Sequence, residues 1–464
     1  MAATTEIQTY TDAVEYLYSF INWEVERHVR YAPEAMTLER PRRVLEALGN
    51  PHLQYPVIHI TGTKGKGSVG AMCASALQAS GLRTGLYSSP HLQDYRERFR
   101  VNDVLISPQD FTALVNAVRP IVEEVEDITW FEVTTAMAFL YFAQRQVEAA
   151  VIEVGLGGRL DATNVVQPAV SVITSLSYDH MHLLGNSLAA IAREKGGIIK
   201  AGVPVVSAPQ PPEALDVLRG IAQERGAPFT LVGHDWLYEP LPPSDAGEHF
   251  LAAPAAQPMQ PYHVSLVGEH QALNATVALA ALAHVREAGV PLTDAGIRAG
   301  FAAVDWPGRL EVLSREPLLI ADAAHNAASA RRLRATLEAR FWRQPMALVF
   351  GASADKDITG MFDALLPLAD VLIVTEAAHP RAIAAEELEA LALQQGYSGP
   401  IERVIGVAAA MARAVEHVGP QGLVCTTGSL FVVGEARDAF GLPVGHLRTA
   451  SQPAATSFSS LGQD

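Results

Sequence analysis

The chain has 464 residues, of which 49% are hydrophobic, and its formal net charge at pH 7 is −16. One hydrophobic core rarely serves a chain of this length, so we expect two domains. The negative charge argues against a protein that mainly coats nucleic acid or an anionic membrane, because both tasks need a concentrated basic surface. Small local basic sites remain compatible with it.

The first twenty residues, MAATTEIQTYTDAVEYLYSF, have neither a basic start nor a continuous apolar core. They do not resemble a secretory signal peptide, and no later segment approaches the ~20 apolar residues that span a bilayer. The sequence therefore predicts a cytosolic protein. Cys73 and Cys425 are the only cysteines and lie in separate apolar segments, so we expect two reduced core thiols and no disulfide framework.

Short apolar runs bounded by Gly and Pro alternate with longer helical patterns, such as residues 110–125 and 269–287. Continuous Val, Ile and Leu runs of this length favour parallel strands buried on both faces. The fold class predicted is therefore α/β, doubly wound, with a mostly parallel sheet. The runs are YPVIHIT, RTGLYS, AAVIEVGL, AVSVITS and VPVVSAP, followed later by PLLIADA, MALVFGA, VLIVTEA and GLVCTTGS.

The domain limits are predicted from breaks in these patterns. Residues 237–263 are rich in Pro and predict an irregular segment or an antiparallel excursion within the first domain. A helical pattern stops at Trp306-Pro307-Gly308 and a new series of strands follows. We expect a first domain over 1–304, a second over 305–449, and a disordered tail over 450–464.

A glycine-rich segment, Gly62-Thr63-Lys64-Gly65-Lys66-Gly67-Ser68, joins a predicted strand to a predicted helix. This arrangement directs backbone N–H groups at a phosphate, with Lys66 for the terminal phosphates and the Ser68 hydroxyl near a metal. The common pattern G-x-x-x-x-G-K-[ST] is not matched, because Ile60 stands at its first position and Gly67 separates Lys66 from Ser68. The segment is a variant phosphate loop or a plain connection. A second run, Gly155 to Gly158, lacks the third glycine of a dinucleotide site, so we reject a Rossmann cofactor there.

Charged side chains follow several of the predicted strands. Glu153 ends one strand and predicts either a Mg²⁺ ligand or a buried salt bridge. Asp179 and His180 follow the next strand, and their position beside the loop favours a metal–nucleotide site over a structural histidine. Lys195 lies in the last turn of a helix, where its residue type alone favours an interaction with the helix dipole.

The second domain repeats this habit. Its first strand is followed by Asp322, His325 and Asn326, and the next by Asp355, Lys356 and Asp357. Strand ends of an α/β sheet are where ligands bind, so these residues predict the rim of an active site.

These segments resemble the folylpolyglutamate and dihydrofolate synthases of the Mur ligase superfamily. The resemblance extends from about residue 10 to about residue 437. It implies a large ATPase domain, a smaller Rossmann-like domain, and amide ligation in which a carboxylate takes the γ-phosphate of ATP before glutamate displaces phosphate. It also suggests a monomer. The motifs that carry it, in order, are HITGTKGKGSV, YSSPHL, RERFRVN, VIEVGLGGRLDATN, SYDHMHLLG, AREKGGIIKAGVPVV, PGRLEV, DAAHN, GASADKD and CTTGSLFVVG.

The resemblance also implies roles for individual residues. Lys195 matches a lysine that is carbamylated in the family, which replaces the helix-dipole interpretation. Lys66, Lys195 and His325 are predicted as catalytic. The implied Mg²⁺ ligands are Ser68, Ser89, Glu153 and His180. Nucleotide contacts are expected from residues 62–68, Asn274, Arg309, Asp322 and Lys356, and contacts to the pterin from Thr129, Trp130, Phe131, Glu132, Leu160, Asp161 and Ala162. Trp130 and Phe131 could equally be core residues at the start of a helix.

Two positions depart from the family pattern. Lys64 stands where Asn is usual, and Ala327 stands where Pro usually follows the His-Asn pair. Neither change removes a predicted catalytic group.

The leading hypothesis is an ATP-dependent ligase that adds glutamate to folates. A Mur-type ligase of cell-wall precursors is the enzymatic alternative, although only about sixty residues precede the loop. A nucleotide-gated switch is the alternative from another class, and it would not need a second domain with Asp322, His325 and Lys356. The sequence leaves open whether dihydropteroate is also a substrate.

Overall fold

The computed structural model describes residues 6–20, 36–242, 244, 246–442 and 444. They form two compact units. The first holds the described residues up to His91, then Tyr95–Ser265 and Glu269–Asp305. The second holds Leu92–Asp94, Leu266–Gly268 and the described residues from Trp306 onward. The predicted tail over 450–464 lies outside the described residues.

The first unit is built on an eight-stranded sheet. All five apolar runs predicted here form strands, which confirms the α/β class. Three short strands near the sheet edges, β3, β4 and β8, were not predicted. The strands are β1 (Val57–Thr61), β2 (Thr84–Tyr87), β3 (Phe99–Val101), β4 (Val104–Leu105), β5 (Ala149–Glu153), β6 (Val170–Ile173), β7 (Val205–Ser207) and β8 (Phe229–Leu231).

Strand order places β1 in the middle of the sheet, between β5 and β6. The full order is β4-β3-β2-β5-β1-β6-β7-β8; the pairs β2–β3 and β3–β4 are antiparallel and the other pairs are parallel. In the register, Ile60 lies opposite Glu153 of β5, and Thr61 lies opposite Ile173 of β6. The carboxyl ends of these three parallel strands therefore meet at one edge of the sheet.

Helices cover both faces of this sheet, as continuous apolar strands require. On one face lies a helix that begins at Lys66, close enough that a Cβ atom at Gly70 would lie 3.7 Å from the side chains of Leu86 and Val151. On the other face, Tyr87 and Ile152 belong to a core shared with four further helices. The helices of the unit are α1 (Tyr10–Tyr18), α2 (Glu39–Ala47), α3 (Lys66–Ala79), α4 (Pro108–Val122), α5 (Trp130–Gln144), α6 (Met181–Leu184), α7 (Leu188–Gly196), α8 (Pro212–Glu224), α9 (His270–Glu287) and α10 (Asp294–Ala303).

The Pro-rich segment of the first unit folds as a small antiparallel sheet. Its strands are β9 (Trp236–Pro240), β10 (Glu248–Pro254) and β11 (Gln260–Val264), in the order β11-β10-β9. Of the two alternatives that the sequence left open, the antiparallel excursion is therefore the one that forms.

The second unit has a six-stranded sheet in the order β12-β13-β17-β14-β15-β16, parallel except for β12. The four predicted runs form β13, β14, β15 and β17. Its strands are β12 (Glu311–Arg315), β13 (Leu318–Asp322), β14 (Met346–Phe350), β15 (Val371–Val374), β16 (Ile401–Arg403) and β17 (Leu423–Thr427). Its helices are α11 (Ala327–Thr336), α12 (Ile358–Leu365), α13 (Ala385–Gln394), α14 (Val407–Val418) and α15 (Leu430–Ala439).

Both cysteines are buried free thiols, one in each unit. Burial raises the pKa of the Cys73 thiol and of the Cys425 thiol well above the usual value. Within the described ranges, no helix combines the length and the apolar composition needed to cross a membrane.

Candidate active site

The glycine-rich loop leaves the carboxyl end of β1 and leads into α3. Gly65, with φ of +93°, precedes the first helical residue, Lys66. No side chain caps this helix start, so its first backbone N–H groups are directed outward as potential anion donors. The structure therefore places the strand, the turn and the helix in the order that the sequence predicted for a phosphate loop.

Two glycines of the loop have close neighbours that leave no room for a side chain. At Gly62, a Cβ atom would lie 1.9 Å from Oγ1 of Thr174. At Gly65, a Cβ atom would lie 2.6 Å from Oδ1 of Asn274. Both residues also have positive φ, so glycine is required here by backbone conformation and by space.

The loop is fastened to the segment that follows β6. The backbone N–H groups of Thr63 and Lys64 both donate to the carbonyl oxygen of Ser175, at 3.0 and 3.1 Å. The Thr63 hydroxyl donates to the carbonyl of Ser177, whose own N–H donates back to that hydroxyl. These contacts hold the tip of the loop beside the residues that lead to Asp179.

Glu153, at the end of β5, faces the loop. Its Oε1 atom lies 3.7 Å from Nζ of Lys66, and its Oε2 atom accepts a 3.4 Å hydrogen bond from the backbone N–H of Ser89. The carboxylate is buried, and so is Ser68 in the first turn of α3. The salt bridge predicted as one alternative for Glu153 is thus present, and Ser89 reaches the same carboxylate.

The donors at this position suit magnesium. Among the described residues, no three His, Cys, Asp or Glu side chains come together as a ready metal cage. Mg²⁺ does not require one, since it is usually bound through one or two carboxylates together with water and substrate phosphate oxygens. Glu153 with the nearby serines fits that mode, and their role as ligands stays a prediction.

Asp179 and His180 follow β6 on the other side of the loop. His180 has a left-handed backbone, with φ of +48°, and its N–H donates to Oδ1 of Asp179 at 3.0 Å. The other carboxylate oxygen of Asp179 lies 3.6 Å from Nζ of Lys64. His180 is about two-fifths exposed and remains accessible to a ligand.

Lys195 is buried beneath the loop. Its Nζ atom donates a 2.9 Å hydrogen bond to the carbonyl oxygen of Gly62, so the side chain is directed to the loop. Burial and the nearby charge of Lys66 lower the pKa of Lys195 to about 7. A lysine with this pKa is partly a neutral amine near pH 7, which is the form that reacts with CO₂.

Asn274 approaches the loop from α9. Its Nδ2 group donates a 2.9 Å hydrogen bond to Oε1 of Gln271, and its Oδ1 atom points towards Gly65. The predicted nucleotide contact therefore lies against the loop, 209 positions further along the chain than Gly65.

The predicted pterin contacts at the start of α5 are largely buried. Thr129 caps α5, and its hydroxyl accepts the N–H of Glu132, while Oε2 of Glu132 accepts the N–H of Thr129 at 2.7 Å. Both carboxylate oxygens of Glu132 also lie 3.1 Å from Nε of Arg40. Trp130 is only 1% exposed and packs in the core, and Phe131 is partly buried. Their contact with substrate stays a prediction.

Asp161, in the second segment predicted to contact substrate, is buried and accepts several hydrogen bonds from neighbouring residues. Its Oδ1 atom accepts the N–H and the hydroxyl of Thr163, and its Oδ2 atom accepts the N–H of Leu156. Burial raises the pKa of Asp161, and these hydrogen bonds oppose the increase. Of its neighbours, Leu160 is partly exposed and Ala162 is buried.

In the second unit, Asp322 ends β13, His325 follows it, and Lys356 follows β14; these two strands flank β17. Arg309 lies just before β12. Asp322 accepts the N–H groups of Leu310 and Ala324, and burial raises its pKa against the opposing charge of Arg309. Nδ1 of His325 lies 2.9 Å from the carbonyl oxygen of Ala323. The other predicted residue, Lys356, pairs with Asp355 at 3.0 Å.

The start of α11 explains why alanine is acceptable at position 327, and a distant ion pair explains the role of Arg40. Asn326 caps α11, so Ala327 occupies the first helical position, where proline is well tolerated. Alanine can fill it equally well. Arg40 could not be predicted from the sequence, because it pairs with Glu132 across 92 residues and no local pattern marks such a contact.

Comparisons with known proteins agree with this architecture. Residues 60–282 match the Mur ligase middle domain, and residues 308–430 match the Mur ligase glutamate ligase domain. A Bacillus subtilis dihydrofolate synthase/folylpolyglutamate synthase is 38% identical over 362 residues, covering 76% of this chain and 83% of the relative. A Lacticaseibacillus casei folylpolyglutamate synthase is 36% identical over 442 residues, covering 92% and 98%.

A solved structure extends the similarity to three dimensions. It is that of Escherichia coli FolC in complex with DHPP and ADP, with a TM-score of 0.83 and 30% identity, covering 95% of this chain and 99% of that one. The Mur-type cell-wall ligase is not favoured by these matches. The chain therefore belongs to the folylpolyglutamate synthase/dihydrofolate synthase family of ATP-dependent ligases.

Proposed function

We propose that this ligase adds L-glutamate both to reduced folates and to dihydropteroate, through an acyl phosphate. The observation that carries the proposal is the convergence of Lys66, Glu153 and Lys195 on one glycine-rich loop. Phosphoryl transfer depends mainly on positioning and charge neutralisation, and this group of side chains can supply both.

In the first step, a carboxylate oxygen of the folate attacks the γ-phosphorus of ATP. The bond between that phosphorus and the β-phosphate oxygen breaks, and ADP leaves. We assign the N–H groups at the start of α3 and the ammonium of Lys66 to the phosphates, because Lys66 is the first residue of α3 and both groups bring positive charge to this end of the helix. Asn274, against Gly65, is proposed to contact the nucleotide.

Glu153 is proposed to hold Mg²⁺ together with Ser68, Ser89 and His180. When bound, Mg²⁺ would neutralise phosphate charge during the transfer. Lys66 also compensates the charge of Glu153, since its Nζ atom lies 3.7 Å from Oε1 of that carboxylate. Lys195 is proposed to carry a carbamate, which would convert a cation beneath the loop into an anionic ligand.

In the second step, the amine of glutamate attacks the acyl carbon, the carbon–oxygen bond to phosphate breaks, and the amine loses a proton. We assign proton acceptance to His325. Its Nδ1 faces a carbonyl oxygen, which can only accept, so Nδ1 carries the proton and the neutral ring has its lone pair on Nε2. Arg309, Asp322 and Lys356 are proposed nucleotide contacts from the same unit.

The pterin end of the substrate is assigned to residues 129–132 and 160–162. The Thr129 hydroxyl accepts a backbone N–H and keeps its own proton for donation to a ligand. Phe131 is partly exposed and offers an aromatic face to a flat heterocycle.

Support for dual activity comes from one of the two relatives described above, while the other leaves a single activity open. The Bacillus subtilis relative is named for both synthases, whereas the Lacticaseibacillus casei relative is named for folylpolyglutamate synthesis alone. Similar identity to both means that the names alone do not separate the alternatives.

The test measures phosphate release from ATP with three substrate pairs: dihydropteroate with glutamate, tetrahydrofolate with glutamate, and a UDP-muramoyl peptide with its amino acid. We expect stimulation by both folate pairs, together with formation of the glutamylated product. Release with tetrahydrofolate alone would restrict the enzyme to folate extension. Release with neither folate pair would refute the proposal, and release with the muramoyl peptide would support the cell-wall alternative.

Lys66→Ala is the matched control for contaminating ATPases. It should lose stimulated release by about 100-fold or more, as expected when a charged group that stabilises the transition state is removed. Its circular dichroism spectrum and melting temperature should stay close to those of the parent. Near-normal turnover in this variant would exclude the loop from the mechanism.

A further inference from the structure

Lys64 occupies the tip of the loop, at the position where the family usually carries asparagine. Its Nζ atom lies 3.6 Å from Oδ2 of Asp179, and the two side chains are only 11% and 20% exposed. A pair this well shielded from water is less screened than an ion pair on an open surface. The ion pair between Lys64 and Asp179 can therefore contribute to the structure of the loop, which an ion pair on an open surface would hardly do.

The ion pair extends a backbone contact that already exists. Thr63 and Lys64 donate their N–H groups to Ser175, and Thr63 exchanges hydrogen bonds with Ser177. The Lys64 side chain continues this row of contacts to Asp179. The loop tip is thus joined along its length to the segment that leads from β6 to α6.

The second lysine of the loop makes the corresponding contact on the opposite side. Lys66 lies beside Glu153 at the end of β5, whereas Lys64 lies beside Asp179 after β6. Because β1 runs between β5 and β6, its loop emerges between these two acidic residues. The two lysines that flank Gly65 therefore pair with an acidic residue at the end of β5 and with one in the segment after β6.

Asp179 contacts His180 as well as Lys64. One of its oxygens faces Lys64, and the other accepts the N–H of His180. His180 has a left-handed backbone, which is uncommon for a residue other than glycine and must be held by its surroundings. The Asp179 carboxylate therefore contacts the loop through Lys64 and helps to hold the left-handed backbone of His180.

We propose that Lys64 is a positioning residue, whose ion pair with Asp179 holds the phosphate loop and the His180 turn in the form that binds ATP. This inference rests on the proposed role of the loop as the ATP phosphate site. A loop held in its binding conformation loses less entropy when the nucleotide binds, so the pair should act on affinity for ATP.

The test compares Lys64→Asn, Lys64→Arg, Asp179→Asn and the double variant Lys64→Asn/Asp179→Asn in steady-state assays. Lys64→Asn should raise KM for ATP by about three- to tenfold and leave kcat within about twofold, as expected for lost uniform binding. Lys64→Arg should restore most of the affinity, because it keeps the cation. The double variant should be no worse than Asp179→Asn alone, because the two side chains act through one contact.

The controls separate this inference from the proposed function. Glu338→Gln breaks an exposed pair with Arg334 in the second unit and should change neither KM nor kcat. If Lys66→Ala is inactive but Lys64→Asn matches the parent, only the positioning role of Lys64 is refuted. Additive effects of Lys64→Asn and Asp179→Asn would also refute it, since they would assign Lys64 an independent contact. An active Lys66→Ala variant would instead refute the phosphate site itself.

Discussion

The ammonium group of Lys195 donates a hydrogen bond of 2.9 Å to the carbonyl oxygen of Gly62, across 133 positions of sequence. This contact joins the end of α7 to the first residue of the glycine-rich loop. Because Lys195 is buried and close to Lys66, its pKa falls to about 7. A lysine with the usual pKa of 10.5 is fully charged at pH 7, whereas Lys195 is present at that pH both as an ammonium and as a nucleophilic amine.

Lys195→Ala should lose most glutamate ligation, by about 100-fold, if Lys195 supplies an anionic carbamate to the active site. A short carboxylate such as acetate or formate should partly restore the rate, because it can occupy the space of the missing group. In the parent protein, ¹³C-labelled bicarbonate should give a carbamate resonance in the NMR spectrum. Absence of both the rescue and the resonance would contradict carbamylation and leave Lys195 as a neutral or charged hydrogen-bond donor.

The lowered pKa of unmodified Lys195 also predicts how stability depends on pH. Between about 7, its folded value, and 10.5, its usual value, the unfolded chain binds more protons than the folded one. The free energy of unfolding should therefore rise with pH across this window. Lys195→Met lacks the titrating amine, so the stability of the parent relative to this variant should increase between pH 7 and pH 9. Urea titrations in CO₂-free buffer measure it, and parallel curves for the two proteins would disprove the shift.

Gly65 and Gly81 bracket α3 and offer a matched pair of substitutions. Their φ values are +93° and +92°, but a Cβ atom at Gly81 would meet nothing within 4 Å, whereas one at Gly65 would lie 2.6 Å from Oδ1 of Asn274. Alanine at either position should cost about 1 kcal/mol of stability through backbone strain. Only Gly65→Ala should also raise KM for ATP, by about tenfold or more, because it displaces Asn274 from the loop.

Thermal melts and ATP kinetics on both glycine variants separate these two effects. The double variant Gly65→Ala/Asn274→Ala removes the steric conflict and should regain part of the stability, although not the affinity for ATP. Equal kinetic parameters for Gly65→Ala and Gly81→Ala would show that Asn274 has no part in nucleotide binding.

Local sequence patterns were sufficient to predict the glycine-rich loop and the residues next to it. The strand, the glycine turn and α3 follow one another within about twenty residues. Glu153 ends the apolar run of β5, and Asp179 follows the end of β6 after a short segment. The buried strands were equally clear, since short runs such as AAVIEVGL, rich in β-branched residues and followed by glycine, are typical of buried strands. Short edge strands such as β16, with the sequence IER, were missed because one exposed side leaves little apolar pattern.

Contacts between segments that are distant in the chain could not be predicted from local sequence patterns. The order β5-β1-β6 decides that Lys66 meets Glu153 and that Lys64 meets Asp179, and this order differs from the order of strands in the chain. The sequence alone left Lys64 unexplained for this reason. It also left Trp130 open between core and substrate contact, because an aromatic residue at the start of a helix is compatible with both.

The capping box of α5 gives a prediction that separates stability from substrate binding. Thr129 and Glu132 satisfy each other's backbone N–H groups, and Arg40 lies within 3.1 Å of both Glu132 oxygens. Thr129→Ala removes one cap acceptor and should reduce the free energy of unfolding by about 1 kcal/mol. Thr129→Ser keeps the hydroxyl and should keep nearly all of the stability.

The same pair of variants tests whether Thr129 contacts the pterin. If its hydroxyl proton is donated to the substrate, Thr129→Ala should raise KM for dihydropteroate and for tetrahydrofolate by about fivefold to tenfold, with KM for ATP unchanged, because one hydrogen bond to the ligand is lost. Thr129→Ser should behave like the parent in all three measurements. An alanine variant that is less stable but has unchanged KM for both folate substrates would restrict Thr129 to capping α5. The pterin contact would then have to come from the partly exposed Phe131 and Leu160.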